Sequence, residues 1–173
     1  MRFTRRNVLK LSGGTFALAF VGAGFTGWSW FRERAPGTGF SVLSDEEAAV
    51  VVALCEVHFP PGTAIGKVVD VQLATAGVDD QLASLPRFER RLARSLLALV
   101  DRWPHLRLFS GRRFRALSFE QRVAAMRTLE ASSSPSLRGI AEVTRIIVGL
   151  SVFEQPLVLA EIGHSFGCAV RSE

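Results

Sequence analysis

Beyond residue 42 the apolar positions recur every three or four residues, the period of helices buried along one face. No stretch alternates in the two-residue period of a strand bounded by hairpin turns. Ser44-Asp45-Glu46-Glu47 reads as a capping box, in which the serine caps the Glu47 amide and the Glu47 side chain reaches back. The helix it opens should bury Ala48, Val51, Val52, Cys55 and Phe59, and Pro60-Pro61-Gly62 should stop it. A short helix from Val68 to Ala76 is expected to end at Gly77, followed by a single turn over Asp79 to Ala83. Pro86 suits a first helical position. The helix behind it carries an apolar stripe of Phe88, Leu92, Leu96, Leu99 and Trp103, and Pro104 should end it. A second capping box, Ser118-Phe119-Glu120-Gln121, opens a helix through Val123, Met126 and Leu129, which breaks at Ser132-Ser133-Ser134. Pro135 starts the next, through Ile140, Val143, Ile147 and Leu150, and a last segment surrounds Val158 and Ile162 before Gly163. These elements predict an all-α domain of five or six helices.

The first 34 residues follow a different pattern. Arg2, Arg5, Arg6 and Lys10 precede 21 residues, Leu11 to Phe31, without a charge. A basic start and an apolar run describe an export signal. Thr4-Arg5-Arg6-Asn7-Val8-Leu9-Lys10 resembles the consensus of the twin-arginine translocation pathway, which implies cargo that crosses folded. As a helix the uncharged run would be roughly 31 Å long, enough for a hydrocarbon core of about 30 Å. A small-x-small cleavage site is hard to place. Ala17-Leu18-Ala19 falls too early, and Val21-Gly22-Ala23 would leave Phe25, Trp28, Trp30 and Phe31 at a new N-terminus. Trp28, Trp30 and Arg32 look instead like a membrane-interface belt. The expectation is therefore a retained transmembrane helix with its N-terminus in the cytoplasm and the rest on the periplasmic side of a bacterial inner membrane. The chain divides into a signal and anchor over 1–34, a linker over 35–42 and a helical domain over 43–173.

Charge changes this picture in one respect. The chain has 21 basic and 16 acidic residues, but four of the basic ones belong to the signal, so the basic excess is mostly an address label and no nucleic-acid partner is expected. Within the domain the charge is uneven: residues 87–127 hold 11 basic and 3 acidic side chains, between acidic flanks. Arg87, Arg90, Arg91 and Arg94 form a stripe expected to face outward, opposite Phe88, Leu92, Leu96 and Leu99. Two readings of the basic block stand side by side: a solvated face paired with its own acidic flanks, or a docking surface for an acidic partner or lipid headgroups.

Candidate chemistry is sparse. Two cysteines cannot hold an iron–sulfur cluster that needs four, and no C-x-x-C-H haem site occurs. His58, His105 and His164 lack ligand spacing, and no G-x-G-x-x-G follows a strand. No catalytic, metal or cofactor-binding residue is assigned to this chain. The acid pairs Glu46-Glu47 and Asp79-Asp80 read as helix-start carboxylates. Cys55 and Cys168 could bridge outside the cytoplasm, although a buried, unpaired Cys55 fits its spacing equally.

Three segments carry a resemblance. Leu43-Ser44-x-x-Glu47 followed by Phe59-Pro60, Gly111-x-x-Phe114-x-x-Leu117-Ser118 followed by Arg122, and Phe153-x-x-Pro156 followed by Gly163 resemble, in order and spacing, the gluconate 2-dehydrogenase subunit 3 family. The family's C-terminal stretch is usually tyrosine-rich, and this chain has no tyrosine. The resemblance implies a non-catalytic small subunit of a membrane-associated dehydrogenase. Its large partner would carry FAD, oxidise a sugar, sugar acid or other alcohol, and pass electrons to a cytochrome c subunit. The small subunit would supply Tat export, stabilisation and membrane attachment. The competing expectation is a membrane-tethered structural subunit of an unrelated respiratory or photosynthetic complex.

Overall fold

The computed structural model describes residues 35–107 and 111–163. Seven α-helices and one 3-10 turn, and no strand, are found among them: α1 Asp45–His58, α2 Ala64–Val68, α3 Val71–Ser84, α4 Arg87–Arg107, the turn Phe114–Ala116, α5 Phe119–Glu130, α6 Pro135–Val152 and α7 Pro156–Glu161. None of these helices is long and apolar enough to cross a membrane. The export residues Arg5 and Arg6, the belt Trp28, Trp30 and Arg32, and Cys168 lie outside the described residues.

Helix α1 is the hub. It packs against α3, α4, α5, α6 and the 3-10 turn. Val50, Val51, Leu54 and Cys55 are buried on its inward side, joined by Val78 and Leu82 of α3, Leu97 and Val100 of α4, Met126 and Leu129 of α5, and Val148 and Val152 of α6. Both capping boxes form. Ser44 Oγ accepts from Glu47 N while Ser44 N donates to Glu47 Oε2, and Ser118 with Gln121 repeats the pattern. Each satisfies orphan amides with residues three apart, which is why sequence alone placed these helix starts.

Three expectations need correction. Gly77 does not end a helix; α3 runs unbroken through it to Ser84, and a separate five-residue α2, capped by Thr63, precedes it. The glycine is there for close approach: a Cβ at Gly77 would lie 3.1 Å from Cβ of Ser151 on α6. Gly66 is more restrictive still, since a Cβ there would meet the Pro60 carbonyl oxygen at 1.9 Å. Pro104 also lies inside its helix, which continues through it to Arg107. Finally, Phe88 does not join the core. It is 67 % exposed on the first turn of α4. Leu96, Leu99 and Trp103 are buried as expected.

Candidate docking surfaces

The two ends of α1 differ in chemistry, and each gathers residues expected to carry function. At the N-terminal end the linker is folded down rather than loose. Gly37 N donates to Leu43 O at 2.7 Å, and Thr38 N donates to Asp45 Oδ1 at 3.0 Å. Asp79, in mid-α3, accepts from Ser41 N, Ser41 Oγ, Val42 N and Leu43 N at 2.7–2.9 Å. It is thus no helix-start carboxylate; it caps a different segment of chain 36 to 38 residues away. Burial opposes its ionisation, but the hydrogen bonds from Leu43, Ser41 and Val42 outweigh that and hold its carboxyl below its ordinary value.

The basic block is largely consumed within the domain. Arg94, expected to face outward, is instead buried at 9 % exposure. Its Nε and Nη2 donate to the Glu47 carboxylate at 2.9–3.1 Å. Arg90 also turns inward, donating to the carbonyls of Leu82, Ala83 and Leu85 and so closing the C-terminus of α3. The four-arginine stripe is therefore not a docking surface as a unit: Arg87 is exposed and Arg91 half-buried, while Arg90 and Arg94 work inside the domain. The reason is tertiary. α1 and the end of α3 present bare oxygens to that face of α4, and buried acceptors attract guanidinium groups. Further along, Arg113 and Arg115 bracket Asp101 and Glu46, at 3.0–3.8 Å, and Arg122 pairs with Glu56 while donating to the Leu117 carbonyl. Arg94, Arg113, Arg115 and Arg122 of the basic block thus meet acids of α1, the internal pairing that was one of the two readings.

The opposite end is apolar and open. Phe59, closing α1, stacks edge-on against Phe153 at the end of α6, with ring centroids 5.7 Å apart and planes at 84°. α2 packs on α7. Gln155 pairs with the backbone of Asp70 in both directions, accepting from its N–H and donating to its carbonyl at 2.9 Å each. Gln81 Nε2 donates to Ser151 Oγ at 2.9 Å. These contacts tie the start of α3, through Asp70, to the start of α7, and the last turn of α3, through Gln81, to the end of α6. Around them, Leu73, Leu150, Phe153, Leu157 and Ile162 stay exposed, Leu157 at 67 % and Leu73 at 51 %. Sequence reasoning missed Leu73 and Leu157 entirely. Leu150, read on the apolar stripe of its helix, and Ile162 lie where their helices end and are exposed.

Two potentially reactive groups lie within α1. Burial first, with Glu56 adding, pushes the Cys55 thiol up to about 12, so this buried free cysteine is not a thiolate at neutral pH. Burial, reinforced by the Arg145 guanidinium, lowers His58 to about 4, and its Nε2 is buried without a hydrogen-bond partner. Among the described residues, no cluster of three or more His, Cys, Asp or Glu side chains is arranged to hold a metal. In comparisons with known proteins, no family model, no curated protein and no solved structure matches the chain.

Proposed function

We propose that this chain is the non-catalytic small subunit of a membrane-associated FAD-dependent dehydrogenase. In this reading it exports the large catalytic subunit through the twin-arginine pathway, stabilises it and holds it at the periplasmic face of the inner membrane. The observation that carries the reading is where the three resembling segments fall. Ser44 and Glu47 form the first capping box, and Ser118 opens the second. Phe114 and Leu117 are buried, and Arg122 ties the Leu117 carbonyl to Glu56 of α1. Phe59 of the first segment meets Phe153 of the third. Gly111 and Gly163 both hold positive φ, 64° and 72°, backbone that favours glycine over any residue with a Cβ. The motif residues are joints of one helical scaffold, which supports the reading without depending on any single motif.

The physical logic of an escort follows from the cofactor. A flavoprotein that acquires FAD in the cytoplasm must cross the membrane folded, and a subunit without its own signal travels on another's. Arg5 and Arg6 would serve both proteins. The test is co-purification of the tagged full-length chain from detergent-solubilised membranes of its own host. A stoichiometric partner with a flavin absorption spectrum is expected. Replacing Arg5 and Arg6 together by Lys should leave that complex intact but inside the cytoplasm. A purified partner without flavin would overturn the reading.

A further inference from the structure

We infer that α2 and α7 form a flap that opens from the domain as one unit while the other five helices stay folded, and that the Gln155 side chain is its latch.

The flap is defined by what its two helices touch. α2 and α7 pack chiefly on each other, whereas α1, α3, α4, α5 and α6 each meet several neighbours. α2 buries no residue fully and α7 buries Val158 alone, with Ile65 and Val68 adding half-buried contacts to the core. Helices of five and six residues hold no geometry by themselves, because isolated helices shorter than about 12 residues are marginal in water. Each therefore needs the other, and loss of one removes the main support of the second. Low burial and dependence on a single neighbour are the features of segments that open locally, below the free energy of global unfolding.

The junctions explain why the two helices move together. α2 is ordered at its start by contacts within the flap itself. The Pro60 carbonyl accepts from Thr63 N and Thr63 Oγ1, and Thr63 Oγ1 in turn accepts from Gly66 N. A Cβ at Gly66 would lie 1.9 Å from that same carbonyl oxygen, so α2 is folded tightly back on the Pro60 turn. The other end of α2 leads through Val69 to Asp70, which caps α3, and Gln155 immediately precedes α7. Gln155 is 3 % exposed, and its amide closes both hydrogen bonds with the Asp70 backbone. One side chain thus holds the junctions of both helices, and its removal releases them together. Opening uncovers Ile65, Val68 and Val158 and so enlarges the apolar end, whatever the partner of the chain.

Hydrogen exchange followed by mass spectrometry on the full-length chain in detergent tests the flap. Residues 63–70 and 156–163 should share one protection factor, about tenfold or more below those of α1 and α6. Gln155→Ala should lower protection in both segments by about tenfold or more, as expected for two lost hydrogen bonds, and leave α1 and α6 unchanged. Gly66→Ala, a change confined to α2, should lower protection in α7 as well. Wild-type protection that differs between the two segments by about tenfold, or that matches α1 and α6, would overturn the common unit. So would an α7 unmoved by Gly66→Ala. Protection in either segment unaltered by Gln155→Ala would overturn the latch. If Gln155→Ala unfolds the whole chain, seen as fast exchange throughout α1 and α6, Gln155 is more than a latch and that assignment falls, while the wild-type pattern and Gly66→Ala still decide the flap.

Discussion

One helix joins two ends of this molecule that are held by different forces. At the N-terminal end of α1, buried carboxylates are enclosed by donors: Asp79 by three amides and a hydroxyl, Glu47 by Arg94 and the Ser44 amide. At the C-terminal end, beside the Arg122–Glu56 pair, the ties are an aromatic pair, a glutamine–backbone exchange and packing of short helices, with large apolar side chains left in water. Directional, charge-assisted contacts fix a geometry but leave little surface to offer a partner. Undirected apolar contacts leave surface to spare. The first end is built to be rigid, so substitutions should cost more stability there than at the second.

The sharpest break is at Asp79. Asp79→Ala leaves the amides of Val42 and Leu43 buried without an acceptor and should cost about 4 kcal/mol in urea unfolding, since each orphaned group costs roughly 1–3 kcal/mol. A loss below about 1 kcal/mol would mean that water reaches the loop and the linker is not pinned. Next comes Arg94→Met, which strands the Glu47 carboxylate in the interior and should cost about 3 kcal/mol, in line with broken buried pairs. Arg87→Met, at an exposed position on the same helix, should stay within about 0.5 kcal/mol.

Acid should separate the two ends as well. Unfolded, His58 takes its proton near 6.5; folded, it resists until about 4. Between those values the unfolded chain binds more protons, so stability falls as pH drops through that window, by on the order of 2–3 kcal/mol in all. Asp79 acts lower. Its contribution is fully present above its ordinary 3.8 and is lost only as pH falls through its depressed folded value. His58→Gln should therefore flatten the stability profile between pH 6.5 and 4.5, and equal slopes in variant and wild type would assign that acid lability elsewhere. The smallest effects belong to the open end. Phe153→Ala should cost about 1 kcal/mol for the lost edge-to-face contact with Phe59. Leu157→Ser should change the isolated domain by no more than about 0.5 kcal/mol.

What the sequence determined by itself was closed within one turn of helix, although the Thr63 cap of α2 and the Asp70 cap of α3, equally local, were missed. The two capping boxes and the proline start of α6 depend on neighbouring residues, so the sequence revealed them; the buried face of α1 was read in part, with Ala48, Val51 and Cys55 buried as expected, Val50 and Leu54 missed, and Val52 and Phe59 only half-buried. The all-helical class followed from the same period. What only the tertiary structure decided was the meaning of residues whose partners are distant in the chain. Gly77 looked like a helix stop because the Ser151 side chain that excludes a Cβ there is 74 positions away. Asp79 looked like a helix-start acid because the amides it accepts from lie 36 to 38 residues back. Arg94 looked like one of four equivalent surface arginines, although Glu47, across the core, singles it out. The open end was illegible for the same reason: whether Leu73 or Leu157 is buried depends on which helices reach it, and a periodic pattern marks an apolar face without saying what covers it.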